Sequence, residues 1–355
     1  MVKVSIITMN SAYNYGAQLQ AYALKEAVTG LGCECNIIDR RRQLQKDVKL
    51  SPSLYDITAY MHKQKLTEGY RAFEDFDRNY HNLTTTNYKE HDTLMQNPPD
   101  SDVFITGSDQ VWNPLGFDPA YFLDFVPLGR RRISYAASLG ISEIPERQKE
   151  CYYKLLSEFD SISVREEKAK ELLAGLLKKD IEVHCDPVFL LGKERWMAIE
   201  KPVEGIRRPY ILCYILYRPK WLNNVIRAVK RKTGKTIVLV DLSGWRNIYH
   251  DMYIRNAGPR EFIWLINYAD GLITSSFHGT AFASIFGKPF ISIINPEKPA
   301  RIQNILEKLD LTDHNLMEEQ QEKTDFLLNN GVFVGRRIEK LKTEALSYLR
   351  QGTQI

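Results

Sequence analysis

Residues 2–9 (VKVSIITM) are mostly apolar and β-branched, the pattern of a strand covered on both faces of a parallel sheet. A polar, turn-rich stretch occupies residues 10–16. Leu19, Tyr22, Ala23, Ala27 and Leu31 then recur at helical spacing, and Gly30 and Gly32 mark a helix end. Residues 35–39 return to a strand pattern, so the chain opens with a βαβ unit. Residues 51–100 differ: they are polar, and Phe73, Phe76 and Tyr80 are spaced as on a helix, which predicts a helical insertion. Strand patterns come next at 102–106, 133–137, 161–164 and 181–184, with helices at 146–159 and 166–177. Residues 193–208 contain Lys201-Pro202 and Arg208-Pro209 with mixed charge, the pattern of a linker. The alternation then restarts. Strands are predicted at 210–216, 236–241, 271–274 and 289–294. Helices are predicted at 221–232, 261–268, 280–286, 301–309 and 336–349.

This reads as two β/α sheets in tandem, with an active site expected in the cleft between them. The boundaries are residues 1–200, carrying the insertion near 51–100, and residues 201–355, carrying the terminal helices. A chain of 355 residues agrees with two domains rather than one core. Hydrophobic residues at 44% and charged residues at 26% describe an ordinary globular protein, and a net charge of +4 does not favour nucleic acid as a partner. The five scattered cysteines fit a reducing compartment better than a disulfide framework. The opening reads as a strand rather than a signal peptide, and no apolar run is long enough to span a membrane. A cytoplasmic location is expected, with membrane contact only at the periphery, through a membrane-bound substrate. No metal or cofactor is expected.

Candidate chemistry gathers where strands end. Ser275-Ser276-Phe277-His278-Gly279-Thr280 lies between a predicted strand and a small-residue helix, where ligands bind in open α/β sheets. Free N–H groups and the helix dipole favour an anion there, Ser275, Ser276 and Thr280 add hydroxyls, Gly279 admits a ligand to the backbone, and His278 can exchange a proton. The competing reading is a Ser276 helix cap with one structural histidine hydrogen bond. Asn14 and Gly16 form either a weak phosphate loop or a capped tight turn. Asp109 and Trp112, in GSDQVWN, can bond sugar hydroxyls and cover an apolar sugar face, or form an ordinary turn with a buried tryptophan. Arg165 can fork onto a carboxylate or phosphate, or pair with Glu166 or Glu167. Asp186 caps the segment after its strand or faces the cleft, and Arg301 opens a helix where it can meet an anion. The basic runs Arg40-Arg41-Arg42, Arg130-Arg131-Arg132 and Arg207-Arg208 read as solvated surface before anion sites.

NYGAQLQAYAL, GSDQVWN, SYAASLG, SVREEKAKELL, CDPVFLL, SSFHGTAFASIFGKPFISI and RIQNILEKLDL occur in the order seen in the polysaccharide pyruvyl transferase family. The chain resembles that family from residue 3 to residue 311. The resemblance implies a GT-B-like α/β fold, two Rossmann-like domains facing across a cleft. It implies transfer of pyruvate from phosphoenolpyruvate onto a sugar of a cell-surface polysaccharide or its lipid-linked precursor, as a ketal with phosphate released. By the same resemblance, His278 is the general acid, Arg165 holds the donor, and Asp109 is base or orienter for the acceptor. One departure stands out. Some members carry arginine two residues before the histidine, where this chain has Ser276; either Arg301 or helix N–H groups replace that charge, or the donor is not phosphoenolpyruvate. The competing functions are a GT-B glycosyltransferase using a nucleotide sugar, with Ser243-Gly244-Trp245 and Arg260-Glu261 as its weak base and ribose site, and a non-catalytic glycan-binding scaffold.

Overall fold

The computed structural model describes residues 1–10, 13–40, 57–242, 247–297, 299–316 and 333–354. They divide into two compact units: Met1–Val48, Asp77–Leu191 and Glu339–Ile355 form the first, and Lys49–Phe76 with Gly192–Ile338 the second. Among the described residues no helix is long and apolar enough to cross a membrane.

The first unit is built on β1 (Lys3–Ile7), α1 (Tyr15–Gly30) and β2 (Glu34–Asp39). The end of α2 (Ile57–Tyr80) leads into β3 (Leu83–Asn87), and α3 (His91–Gln96) into β4 (Val103–Thr106). Then come β5 (Arg131–Ser134), α4 (Glu146–Ser157), β6 (Ser163–Val164), α5 (Glu167–Leu177) and β7 (Glu182–Val183). Five strands run parallel in the order β3-β2-β1-β4-β5. Bridges Ile133↔Ser161 and Ala137↔Val164 carry the sheet on to the β6-β7 pair. The order reverses between β1 and β4. Residues 51–100 are not helical throughout: β3 takes the sheet edge. Its sequence, LTTTN, is half-exposed or exposed, so it lacks the apolar run by which an interior strand is recognised.

α1 is buried on nearly every side, including Gln18 and Gln20. Those two side chains act as staples. Gln18 Nε2 donates to Asn10 O at 2.6 Å; Gln20 Nε2 donates to Thr8 Oγ1 at 2.8 Å and its Oε1 accepts from Ser108 N at 3.2 Å. They tie together the segments leaving β1 and β4.

The second unit holds α6 (Lys193–Met197), β8 (Tyr210–Tyr214), α7 (Leu222–Thr233), β9 (Thr236–Val240) and β10 (Met252–Ile254). It continues with α8 (Pro259–Asn267), β11 (Gly271–Thr274), α9 (Phe277–Ile285), β12 (Phe290–Ser292) and α10 (Ala300–Leu309). Its parallel order, β10-β9-β8-β11-β12, repeats that of the first unit and reverses between β8 and β11. The expected linker begins as a packed element: Trp196 of α6 is fully buried and meets Phe282 of α9 edge-on at 5.0 Å. The last helix, α11 (Gly335–Thr353), returns to the first unit from residue 339 on. There Tyr348 donates to Ser134 O at 2.8 Å, and Gly352 lies against Ile133.

Candidate active site

In the second unit the polar segment sits at the carboxyl end of β11, beside β8, where the strand order reverses. That is where a doubly wound sheet opens a crevice for ligands. The local hydrogen bonds explain its composition. Thr274 Oγ1 donates to Tyr214 O at 2.7 Å and accepts from Ser276 N at 3.1 Å. Ser275 Oγ accepts from Leu216 N and Tyr217 N at 2.8 and 2.7 Å, tying the β8 loop to β11. Ser276 caps α9, accepting from Gly279 N at 3.4 Å. Thr280 Oγ1 donates to Ser276 O at 3.2 Å and pairs with Ser292 of β12. Gly279 is required by packing: a Cβ there would lie 2.9 Å from Thr274 Cβ, closer than real contacts allow. It does not open the backbone to a ligand in that direction.

The helix begins at Phe277, three residues earlier than the pattern predicts, so His278 belongs to its first turn. Its imidazole is buried, edge-on to Phe277 at 5.1 Å. No acidic residue stands in that turn, so nothing on α9 offsets the positive end of the helix dipole. Burial holds the Tyr214 phenol above its ordinary pKa; a hydrogen bond with Ser276 works against this and nearby Asp241 with it. Arg301, half-buried, is the second residue of α10.

In the first unit four successive strands each deliver residues at their carboxyl ends. Asp109 lies after β4, Ser138 after β5, Arg165-Glu166 after β6, and Asp186 after β7. Arg165 is buried and donates from Nε to Glu166 Oε1 at 3.2 Å and from Nη1 to Asp186 Oδ2 at 2.7 Å; Nη2 lies 3.8 Å from Asp109 Oδ1. Ser138 Oγ donates to Glu166 Oε1 at 2.7 Å, and Asp186 Oδ1 caps the next turn by accepting from Val188 N at 3.1 Å. Burial pulls the guanidinium pKa down, but the carboxylates of Glu166, Asp186 and Asp109 outweigh it and hold it above the ordinary value. One cation and three anions leave the cluster formally negative, so an anionic ligand gains little from Arg165. Of the three acids Asp109 is the most exposed, 16% against 8% for Glu166 and 0% for Asp186. Its carboxylate is therefore the one placed to accept a bond from a hydroxyl. Asp109 takes a left-handed backbone (φ 62°), and the preceding Gly107 (φ 122°) leaves no room for a Cβ against the Tyr135 carbonyl.

Several expectations fall to the bland alternative. Trp112 cannot cover a sugar: it is fully buried, stacks on Phe122 at 5.8 Å and donates from Nε1 to Tyr121 O at 3.0 Å. Asn14 is the α1 cap, accepting from Ala17 N at 3.2 Å, and Gly16 is a helical residue of α1 rather than part of a tight turn. Arg40 forks onto Asp118 at 2.8–3.1 Å; Arg41 and Arg42 lie outside the described residues. Arg130 pairs with Asp100 and Asp102, Arg132 with Glu158, and Arg208 packs over Trp264 and Tyr268. Of the suggested nucleotide groups, residues 243–245 lie outside the described residues. Arg260 donates to Ile199 O at 2.7 Å and Glu261 closes the start of α8, so both have structural partners. Arg165 makes the pairing with Glu166 that the sequence offered as its alternative role. What the pattern did not reveal is Asp186 closing on the same guanidinium, a pairing that spans 21 residues, beyond any local periodicity.

The family model for polysaccharide pyruvyl transferase matches residues 14–297. The chain belongs to the polysaccharide pyruvyl transferase family. It is therefore a transferase whose family implies a saccharide acceptor. The match runs from the Asn14 cap through the Arg165 cluster and α9. No curated protein matches the chain. Among solved structures, UDP-GlcNAc 2-epimerase from Methanocaldococcus jannaschii is 16% identical, with 98% of this chain and 99% of that one covered and a TM-score of 0.53. HepE from Anabaena, in complex with UDP and glucose, is 9% identical, with 98% and 99% covered and a TM-score of 0.53. At such identities the likeness is one of fold: this family member is GT-B-like, with two Rossmann-like units.

Proposed function

We propose that this chain transfers the pyruvyl group of phosphoenolpyruvate onto two hydroxyls of a sugar in a cell-surface polysaccharide or its lipid-linked precursor. The observation that carries the reading is the family match over residues 14–297, which takes in the buried His278 at the start of α9. Protonating the methylene carbon of phosphoenolpyruvate makes C2 electrophilic. One sugar hydroxyl attacks C2, phosphate leaves, and the second hydroxyl closes the ketal. His278 is the proton donor in this scheme, and the uncompensated N-terminus of α9 suits the anionic donor. Asp109 orients the acceptor hydroxyl and takes its proton. Arg165 holds Asp109, Glu166 and Asp186 in place, a role its three carboxylate neighbours support better than that of a donor clamp. Phosphoenolpyruvate is an intracellular metabolite, so the reaction is cytoplasmic in this reading.

The test is phosphate release from phosphoenolpyruvate with a panel of galactose-, mannose- and glucose-type acceptors, with thermal shift against UDP-sugars in parallel. Phosphate release abolished by His278→Ala is the expected result. Stabilisation by UDP-sugars, with neither binding nor turnover of phosphoenolpyruvate, would replace the reading by a nucleotide-sugar glycosyltransferase.

A further inference from the structure

Arg255 stands immediately after β10 in the second unit, at the same carboxyl edge of the parallel sheet as Tyr214 and Ser275. It is 8% exposed, a degree of burial at which arginine ordinarily has a carboxylate partner. It has none. Among the described residues no carboxylate lies within ion-pair distance of its guanidinium, and Nε is buried without a hydrogen-bond acceptor. Its aromatic neighbour is the Tyr253 ring, 5.7 Å from the guanidinium carbon. A largely buried guanidinium with no carboxylate beside it is costly, so its retention needs an explanation.

The surroundings hold it rigidly. Gly69 of α2 approaches so closely that a Cβ there would stand 2.8 Å from Arg255 O. Three residues on, a Cβ at Gly258 would stand 2.6 Å from Ala72 Cβ. Asn256 Nδ2 donates to Glu68 at 3.2 Å. α2 thus clamps the backbone of this turn, and the side chain alone remains uncommitted. A polar chain runs from it towards the His278 helix. Tyr253 donates to Asp241 Oδ2 at 2.9 Å, Asp241 acts electrostatically on Tyr214, and Tyr214 is hydrogen-bonded to Ser276, the α9 cap.

We infer that Arg255 is the guanidinium that receives the negative charge of the substrate in the second unit, supplying the cation that Ser276 does not. The inference rests on the proposed function for the identity of the anion, but not for its existence. Three strand spacings of ~4.8 Å put the ends of β10 and β11 roughly 14 Å apart. An extended arginine covers about half of that span, and phosphoenolpyruvate, with charge at both ends, bridges the remainder. The ligand chemistry is a phosphate or carboxylate reached from the carboxyl edge of the sheet, held by Arg255 on one side and the N–H groups of α9 on the other.

The experiment compares the full chain with Arg255→Met and Arg255→Lys, by calorimetry with phosphoenolpyruvate, inorganic phosphate and UDP, and by melting temperature. Arg255→Met is expected to weaken anion binding at least tenfold and to raise KM for phosphoenolpyruvate more than it lowers kcat. Arg255→Lys is expected to restore part of the affinity. The melting temperature of Arg255→Met should hold or rise, because an unpaired buried charge has been removed; a purely structural arginine would lower it. If phosphate and UDP bind through Arg255 while phosphoenolpyruvate does not bind the wild type, the arginine's role stands and the pyruvyl donor falls. Unchanged anion affinity in Arg255→Met, or no anion binding by the wild type, overturns the inference.

Discussion

Arg165 sits within reach of three acids drawn from three strand ends, so deleting it does more than remove a positive charge. Arg165→Met leaves Glu166 and Asp186 buried with no cation beside them. A loss of about 3–5 kcal/mol is expected, measurable by urea unfolding. A surface arginine would show no loss of that size. At this scale sequence reading separates chemistry from packing poorly. Trp112 and Asp109 lie three positions apart in one polar motif, yet one is core and the other reaches solvent. Composition cannot tell them apart, because burial here is decided by Phe122 and Phe159, which arrive from later segments.

Elements were more legible. The apolar runs that became β1, β8, β9 and β11 announce themselves because parallel strands are covered on both faces. β3 and the three-residue β10 do not, since an edge strand and a very short strand carry little apolar signal. The start of α9 was displaced because Phe277, His278 and Gly279 are indifferent or poor helix formers; the Ser276 cap and packing on β11 make them helical. Close packing there is directly testable. Gly279→Ala forces a methyl group into Thr274 and is expected to destabilise the second unit by roughly 1–3 kcal/mol. It should also move the first turn of α9, so that, on the proposed function, phosphoenolpyruvate affinity falls with stability, read by calorimetry beside the melting curve.

For the molecule as a whole, the alternation identified two β/α sheets in tandem, because that alternation is what a doubly wound fold writes into a chain; that both share one strand order is visible only in the structure. What it could not foretell is where the final helix goes. α11 is amphipathic, and nothing local says which core its apolar stripe covers. The structure sends it to the first unit, where Tyr348, Tyr135 and His184 form an aromatic stack and Cys185 Sγ meets Leu341 O at 3.8 Å. Removing residues 339–355 is therefore expected to uncover Ile133 and Tyr135, increase binding of a hydrophobic dye, and lower the melting of the first unit rather than the second.

That return has a bearing on biogenesis. The ribosome releases residues 339–355 only after all the intervening chain of the second unit has emerged. The first globule to begin condensing is then the last to be sealed. Until that final segment arrives, the aromatic surface it will cover stays open, which is the interval in which a nascent polypeptide of this design depends most on a holdase.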